Sequence, residues 1–186
     1  MDSLDGADIV AFADAAQWEA WLADHHERTA GVWVKIAKKG SGRASVTITE
    51  ALDVALCFGW IDSQRKPCDD AHYLQRYTPR RPKSAWSQVN VAKVGALVAA
   101  GRMRGPGHAA IEAAKADGRW DAAYPSQRNA TIPDDLAAAL AADDRARARF
   151  DRLGRTQQYA LFLRLVTART PATRAVQLRR IVESLS

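Results

Sequence analysis

The chain has 186 residues, of which 47% are hydrophobic and 26% charged, and its formal net charge at pH 7 is +6. That length suffices for one substantial core, and the composition is that of an ordinary globular protein. No apolar run approaches the roughly 20 residues that span a bilayer, so the sequence argues against a membrane protein.

The N-terminus and the cysteines indicate the compartment in which the protein works. The first residues, MDSLDGAD, carry acidic and no basic side chains, unlike the positively charged start of a secretory signal. Cys57 and Cys68 have neither CxxC spacing nor a histidine at metal-ligand spacing, which is typical of free thiols in a reducing compartment. We therefore expect a cytoplasmic protein without a disulfide.

Hydrophobic periodicity divides the first part of the chain into strands and helices. IVAF is typical of a short edge strand, DAAQWEAWLADHH of an amphipathic helix, and GVWVKIAKK of a half-buried strand. In TITEALDVALCFG, Thr47 precedes Glu50 by the spacing of a capping box, and Gly59 suits the end of the helix. WIDSQRK and HYLQRYTPRR then alternate as a hairpin around the turn-forming PCDDA.

The rest of the chain has the pattern of helices. KSAWSQVNVAKVGALVAAG offers Ser84 or Ser87 as N-cap, and GPGHAAIEAAKADG has Pro106 in its first turn. Three helical segments follow: PDDLAAALAADDRARARFDRLG, TQQYALFLRLVTAR and TPATRAVQLRRIVESLS. We therefore predict an α+β fold, with a small mixed sheet and helices in residues 1–125 and a helical subdomain, residues 126–186, packed on the first.

The sequence lacks the common cofactor and metal motifs. It contains no GxxxxGK[ST], GxGxxG, HExxH, GxSxG or paired CxxC. His25 and His26 are adjacent and diverge by about 100° on a helix, so they cannot chelate one metal as an i, i+4 pair would. We therefore expect neither a cofactor nor a metal, and we assign no catalytic residue.

The stretch CFGWIDS sets one carboxylate, Asp62, behind large apolar side chains. Trp60 indicates partial burial of Asp62, which would raise its pKa as a general acid or base at neutral pH requires. The alternative is structural, since a carboxylate at a strand end commonly pairs with an arginine and stays ionised. Because the sequence offers no nucleophile or metal site to act with it, Asp62 is interpreted as a partner of Arg80 and Arg81.

YTPRRPKSAWSQVN, residues 77–90, is the stretch that most resembles a binding site. Arg80 and Arg81 precede a serine-capped helix start, where unpaired N–H groups and the helix dipole favour an anion. The alternative is a proline-braced connector whose arginines pair with the acidic N-terminal part. The predicted binding residues are Trp60, Asp62, Tyr77, Arg80, Arg81, Ser84, Trp86 and Asn90.

Two further arginine-containing segments favour structural roles. GRMRGPGHAAI, residues 101–111, superficially resembles a phosphate-binding loop, but its spacing matches no known one and we interpret it as a helix-to-helix turn. ATRAVQLRRI places Arg174, Arg179 and Arg180 on one helix, where a solvent-exposed face is the default and contact with the main domain is the alternative.

Several of these words resemble one known family. SAWSQVN after TPRRPK, ALCFGWIDS, GRM before a glycine turn, AKADGRW, IPDDLAAAL and the terminal ATR are similar to the bacterial YdeI/OmpD-associated proteins, also called bacteriocin-protection proteins, from about Trp18 to Ile181. The chain departs from that family at Gln177, where a basic residue is usual. The resemblance implies protection against antimicrobial peptides or association with an outer-membrane porin, and the absence of an export signal argues against direct porin contact.

Two classes of function fit these residues. A stress or antimicrobial-protection protein would bind an anionic or aromatic small molecule or peptide between aromatic walls such as Trp60 and Trp86, oriented by Asp62 and the arginines. An enzyme acting on a small anionic substrate would use Asp62 as acid or base. The chain offers no convincing nucleophile, since Ser84 suits a helix cap and Cys57 an apolar helix end, so binding is favoured.

Nucleic-acid binding is a third alternative. Positive charge is concentrated in residues 65–104 and 143–186, and such a belt attracts polyanions. No helix-turn-helix, zinc finger or RNA-binding aromatic motif accompanies it, so the sequence does not favour nucleic acid as the partner.

Overall fold

The computed structural model describes residues 2–186, which form two compact units. The first unit is made of residues 2–84 and 92–120, and the second of residues 85–91 and 121–186. The predicted domain boundary at residue 125, and the packing of the second domain on the first, stay predictions.

The first unit contains a five-stranded mixed sheet and helices. Its elements in chain order are β1 (Ser3–Leu4), β2 (Ala7–Ala11), α1 (Ala15–His25), β3 (Val32–Ala37), α2 (Ile48–Cys57), β4 (Trp60–Pro67), β5 (His72–Pro79), α3 (Gln88–Ala99), whose first residues group with the second unit, and α4 (Gly105–Ala116). The strand order is β1-β2-β3-β5-β4; β2 and β3 are parallel, and the other neighbours are antiparallel. The predicted α+β class with a small mixed sheet is confirmed.

Local signals in the sequence place several of these elements. The predicted capping box is present, because the Thr47 hydroxyl accepts from the Glu50 N–H at 3.2 Å and the Glu50 carboxylate accepts from the Thr47 N–H at 3.0 Å. Gly59 has a φ of 71°, a left-handed value that favours glycine, and it turns the chain from α2 into β4. The IVAF segment belongs to β2, which is not an edge strand because β1 pairs outside it.

Tryptophans fill the core of the first unit. Trp18 and Trp60 are almost completely buried, and the Trp18 indole N–H donates to the Ala51 carbonyl at 3.0 Å, which ties α1 to α2. Side chains alternate along β3, so Trp33 projects to the face of the sheet opposite that of its neighbours Val32 and Val34. There it clusters with Leu74. The sheet therefore has apolar clusters on both faces.

Helix α4 approaches the C-terminal end of α2 at a glycine. The Arg104 N–H donates to the Cys57 carbonyl at 3.0 Å, and a Cβ on Gly107 would overlap that same carbonyl. Gly105, two residues earlier, has nothing within 4 Å of where its Cβ would lie. The predicted helix-to-helix turn in residues 101–111 is thus the short connection that ends at Arg104, and Gly107, which already belongs to α4, serves close packing.

Four helices surround the core of the second unit: α5 (Asp134–Ala141), α6 (Asp144–Asp151), α7 (Arg155–Val166) and α8 (Pro171–Leu185). PDDLAAALAADDRARARFDRLG, predicted as one helix, forms two, because the Asp143 carboxylate accepts from the N–H groups of Arg145 and Ala146 and caps a new helix. The core contains Leu136, Leu140, Phe150, Phe162, Leu165 and Ile181.

Arg174 joins three helices of the second unit. Its Nε and Nη2 lie 2.7 and 2.8 Å from the two carboxylate oxygens of Asp135 on α5, and its Nη1 donates to the Leu165 carbonyl on α7 at 2.9 Å. These hydrogen bonds lower the pKa of Asp135 below its ordinary value. Arg174 is therefore a structural residue within the helical unit, a role that neither of its two sequence interpretations anticipated.

We expect Arg174→Gln to lower the free energy of unfolding by about 2 kcal/mol, because it removes a bidentate charged pair. The Asp135 pKa is depressed in the folded state, so the pair stabilises above the ordinary carboxyl pKa and its contribution is lost as the pH falls through the lowered value. Denaturant unfolding at pH 7 and pH 2.5 measures both effects. Arg179→Gln, an exposed change on the same helix, is the control; an equal loss in both variants would contradict the prediction.

Candidate functional site

Asp62 and Tyr77 face each other across the β4–β5 ladder. Their Cα atoms are partners in the antiparallel register, and residues directly opposed in this way project to the same face of a sheet. Tyr77 is 0% exposed, whereas Asp62 is half-buried. The hairpin thus places a carboxyl group beside a phenol at the edge of the core.

The Tyr77 hydroxyl has no hydrogen-bond partner among the described residues. Its ring packs against Trp18, with centroids 5.6 Å apart. Burial, and after it the charge of Asp62, raises the pKa of Tyr77 far above the ordinary phenol value, so the hydroxyl stays protonated. A buried polar group without a partner lowers the stability of the fold by about 1–3 kcal/mol. Such a group calls for an explanation, for example a role in function.

Burial also raises the pKa of Asp62, and it outweighs the opposing charges of Arg65 and Arg80. The carboxylate forms no ion pair and accepts no hydrogen bond from another side chain within residues 2–186. The predicted direct pairing of Asp62 with Arg80 or Arg81 is therefore not observed in that range. Asp62 and Tyr77 are two neighbouring polar groups that can each make further hydrogen bonds.

A bulge in β4 extends this polar surface along the hairpin. The register shifts between Asp62 and Arg65, and Arg65 comes to lie opposite Gln75. The Arg65 Nε donates to the Gln75 Oε1 at 3.1 Å, and its guanidinium lies 4.7 Å from the centroid of the Tyr73 ring. We call Asp62, Arg65, Tyr73, Gln75 and Tyr77 the polar row. Alternation along β5 puts its three members on one face, and the register places Asp62 and Arg65 opposite two of them.

The remaining predicted residues of the first unit have varied roles. Trp60 is a core residue whose indole N–H donates to the His26 carbonyl at 2.8 Å. Arg80 follows β5 directly, and its N–H donates to the Gly59 carbonyl at 2.9 Å. Arg81 is exposed, and its carbonyl accepts from the Ser84 hydroxyl at 2.8 Å, which closes a turn.

Trp86 and Asn90 group with the second unit. The buried Trp86 holds this segment to residue 124 through its carbonyl, which accepts from the Tyr124 N–H at 3.0 Å. The Ser87 hydroxyl accepts from the Asn90 N–H at 3.2 Å, so Ser87 is the N-cap of α3. Within the first unit, the structure therefore brings together Trp60, Asp62, Tyr77 and Arg80, with Arg81 and Ser84 in the following turn.

Sequence reasoning missed Arg65 and Gln75. Counting outward from the turn between β4 and β5 would have placed Gln75 on the face of Tyr77, because both belong to one alternating strand. Arg65 required knowledge of the bulge, which has no signal in the residue pattern. Gln75 is 2% exposed, and a buried glutamine in a strand is a sign of a polar network that single-residue patterns do not show.

Neither a metal-ligand cluster nor a thiolate at Cys57 is present within residues 2–186. No group of three histidine, cysteine or acidic side chains within residues 2–186 could hold a metal ion. Burial raises the pKa of Cys57, which keeps it a thiol and a poor nucleophile. None of the helices in this range combines the length and apolar character that crossing a bilayer requires.

We expect Asp62→Asn to stabilise the protein at pH 7 by a few tenths of a kcal/mol, at most about 1 kcal/mol, because it removes a charge that burial penalises and that solvent still partly screens. The folded pKa is raised, so wild-type Asp62 favours folding below the ordinary carboxyl pKa and loses that contribution as the pH rises through the raised value. The advantage of the variant should therefore shrink on acidification. Urea unfolding at pH 7, 5 and 3.5 measures it, with the exposed turn variant Asp70→Asn as control; an advantage that grows with acidity would refute the assignment.

The two parts of the chain match different family models. Residues 10–110 match a model described as a domain of unknown function (DUF8412), and this range holds the whole polar row. Residues 129–186 match a model described as bacteriocin-protection, YdeI or OmpD-associated, and this range holds the Asp135–Arg174 pair. Neither the curated proteins nor the solved structures contain a significant match.

Proposed function

The chain belongs to the family of the domain of unknown function (DUF8412) and carries a bacteriocin-protection, YdeI/OmpD-associated domain at residues 129–186, and from this we propose that it is a protection protein that binds its ligand without turning it over. The resemblance inferred from the sequence is confirmed for the C-terminal part. The motifs around Trp60 and Trp86 fall in the range of the other family model.

The observation that supports binding is the position of Tyr77 directly opposite Asp62 in the hairpin. Tyr77, whose fully buried hydroxyl has no partner among the described residues, lies opposite the half-buried Asp62, whose carboxylate forms no ion pair in that range. Both groups would gain hydrogen bonds from a ligand that offers an acceptor to Tyr77 and a donor to Asp62. Leaving the Tyr77 hydroxyl unsatisfied in the free protein is a cost that ligand binding would offset.

The ligand that suits this surface is an anionic or aromatic small molecule or a peptide end. Arg80 and the exposed Arg81 supply positive charge next to the hairpin, and guanidinium groups bind carboxylates through paired hydrogen bonds. A peptide C-terminus or an aromatic amide would provide the anion and the N–H donor together. Sequestering such a molecule in the cytoplasm would protect the cell, in keeping with the free thiols of Cys57 and Cys68.

Catalysis by Asp62 is the second candidate, favoured by its raised pKa. A general acid or base needs a reacting group with which it can exchange a proton, however. The Ser84 hydroxyl does not supply one, because it donates to the Arg81 carbonyl. Turnover of a bound molecule by the wild type that is lost in Asp62→Asn, with the fold intact, would support an enzyme. Unchanged ligand recovered after prolonged incubation supports a binding protein.

Tryptophan fluorescence tests the proposal, because Trp18 packs on Tyr77 and Trp60 lies two residues before Asp62. We expect tryptophan-free antimicrobial peptides or aromatic antibiotics to change the emission saturably. Tyr77→Phe and Asp62→Asn should each weaken that response at least tenfold, about 1.4 kcal/mol. Flat titrations with the whole panel in the wild type, or equal binding by all three proteins, would refute ligand binding at the polar row.

A further inference from the structure

We infer that the helical unit holds a second ligand site, a cavity of about 370 Å³ that takes an aromatic carboxylate. The volume falls within the ~300–1,000 Å³ of small-molecule pockets. The cavity is separate from the polar row, because every residue that lines it belongs to the second unit. Its principal lining residues are Ile132, Arg147, Phe150, Arg155, Tyr159 and Phe162.

The floor of the cavity is aromatic and belongs to the packed core. Phe150 and Phe162 are 6% and 9% exposed, and their rings lie 6.1 Å apart at 35°. Ile132 and Tyr159 pack against the same core from the rim. Because aromatic rings associate favourably in offset and tilted arrangements, this floor suits a flat aromatic body.

Hydrogen bonds hold the cavity walls in place. The Tyr159 hydroxyl donates to the Pro125 carbonyl at 2.9 Å, and the Gln158 Nε2 donates to the Phe150 carbonyl at 3.2 Å. These bonds link α7 to the segment before α5 and to α6. A ligand therefore meets walls that are already formed, which reduces the conformational entropy lost on binding.

The charge at the cavity is positive. Arg147 and Arg155 both line it, and no carboxylate is among the described residues that do. Arg147 binds the Asp151 carboxylate at 2.9 Å, whereas Arg155 has no ion-pair partner within residues 2–186. An organic anion would gain a bidentate hydrogen bond from Arg155. Its apolar body would also contact Phe150 and Phe162, which a small inorganic anion could not do.

A titration of the full chain followed by two-dimensional amide NMR tests this site. The probes are 2-naphthoate and its neutral analogue 2-naphthamide, which share one shape. We expect 2-naphthoate to shift the amide signals of Ala130, Ala137 and Phe150 and to bind at least tenfold more tightly than 2-naphthamide. Arg155→Gln should lower the affinity for 2-naphthoate at least fivefold, and Arg179→Gln, on α8 outside the cavity, should not change it.

Three results would overturn the inference: equal affinity for the two probes, equal losses in the two arginine variants, or no shift of these signals at millimolar 2-naphthoate. Ala137→Phe, which places a ring in the cavity, should abolish binding; if that variant does not fold, the two arginine variants still decide. Shifts confined to the polar row would refute this second site while supporting the proposed function at the first.

Discussion

Replacing Tyr77 with phenylalanine is expected to raise the free energy of unfolding by about 1 kcal/mol and to weaken ligand binding at least tenfold. The ring fills the same volume and keeps its contact with Trp18, so the packing is conserved. The hydroxyl is buried without a partner among the described residues, and its removal abolishes a desolvation cost. A change that improves the fold and damages binding identifies a group retained for function.

The contrasting variant is Tyr159→Phe in the second unit. Its hydroxyl donates to the Pro125 carbonyl at 2.9 Å, so the same chemical change should lower the free energy of unfolding by about 1 kcal/mol. It should leave the tryptophan fluorescence response at the polar row unchanged. Urea unfolding of both variants gives the two signs. Destabilisation by Tyr77→Phe comparable to that by Tyr159→Phe would show that the Tyr77 hydroxyl has a structural role.

The sequence predicted the surroundings of Asp62 better than its partners. Trp60, two residues before Asp62 on the same face of β4, indicated partial burial and a raised pKa. Asp62 is half-buried in the structure, and that burial raises its pKa. The expected pairing with Arg80 or Arg81 depended on distances across the sheet. Those distances are set by the register and by the bulge before Arg65, which residue patterns do not encode.

The aromatic residues show a second limit of sequence reasoning. Trp60 and Tyr77 were predicted as binding residues, yet an aromatic residue in a strand has the same pattern whether it faces a ligand or the core. The structure buries both, and only the Tyr77 hydroxyl distinguishes one of them as a polar group with unused capacity. Likewise, the division of the predicted long helix by Asp143 depended on a side-chain cap that competes with good helix formers on either side.

Gly107→Ala is expected to lower the free energy of unfolding by about 3 kcal/mol, which corresponds to a fall of roughly 10 °C in Tm. The new methyl group would overlap the Cys57 carbonyl, a backbone atom that also accepts from the Arg104 N–H and cannot move independently. Relief requires α4 to withdraw from α2. Because only Phe58 and Gly59 separate Cys57 from β4, the displacement would reach the strand that carries Asp62, and ligand binding should weaken as well.

Gly105→Ala provides the matched control two residues away in the same helix. Nothing lies within 4 Å of its future Cβ, and alanine is the better helix former, so stability should be unchanged or rise by up to about 1 kcal/mol. Thermal unfolding of both variants distinguishes packing from helix propensity as the role of Gly107. If both alanines were tolerated equally, α4 would not be held against the Cys57 carbonyl. A loss of stability confined to Gly107→Ala means that this glycine fixes the distance between α2 and α4. That distance also sets the start of the hairpin on which the polar row depends.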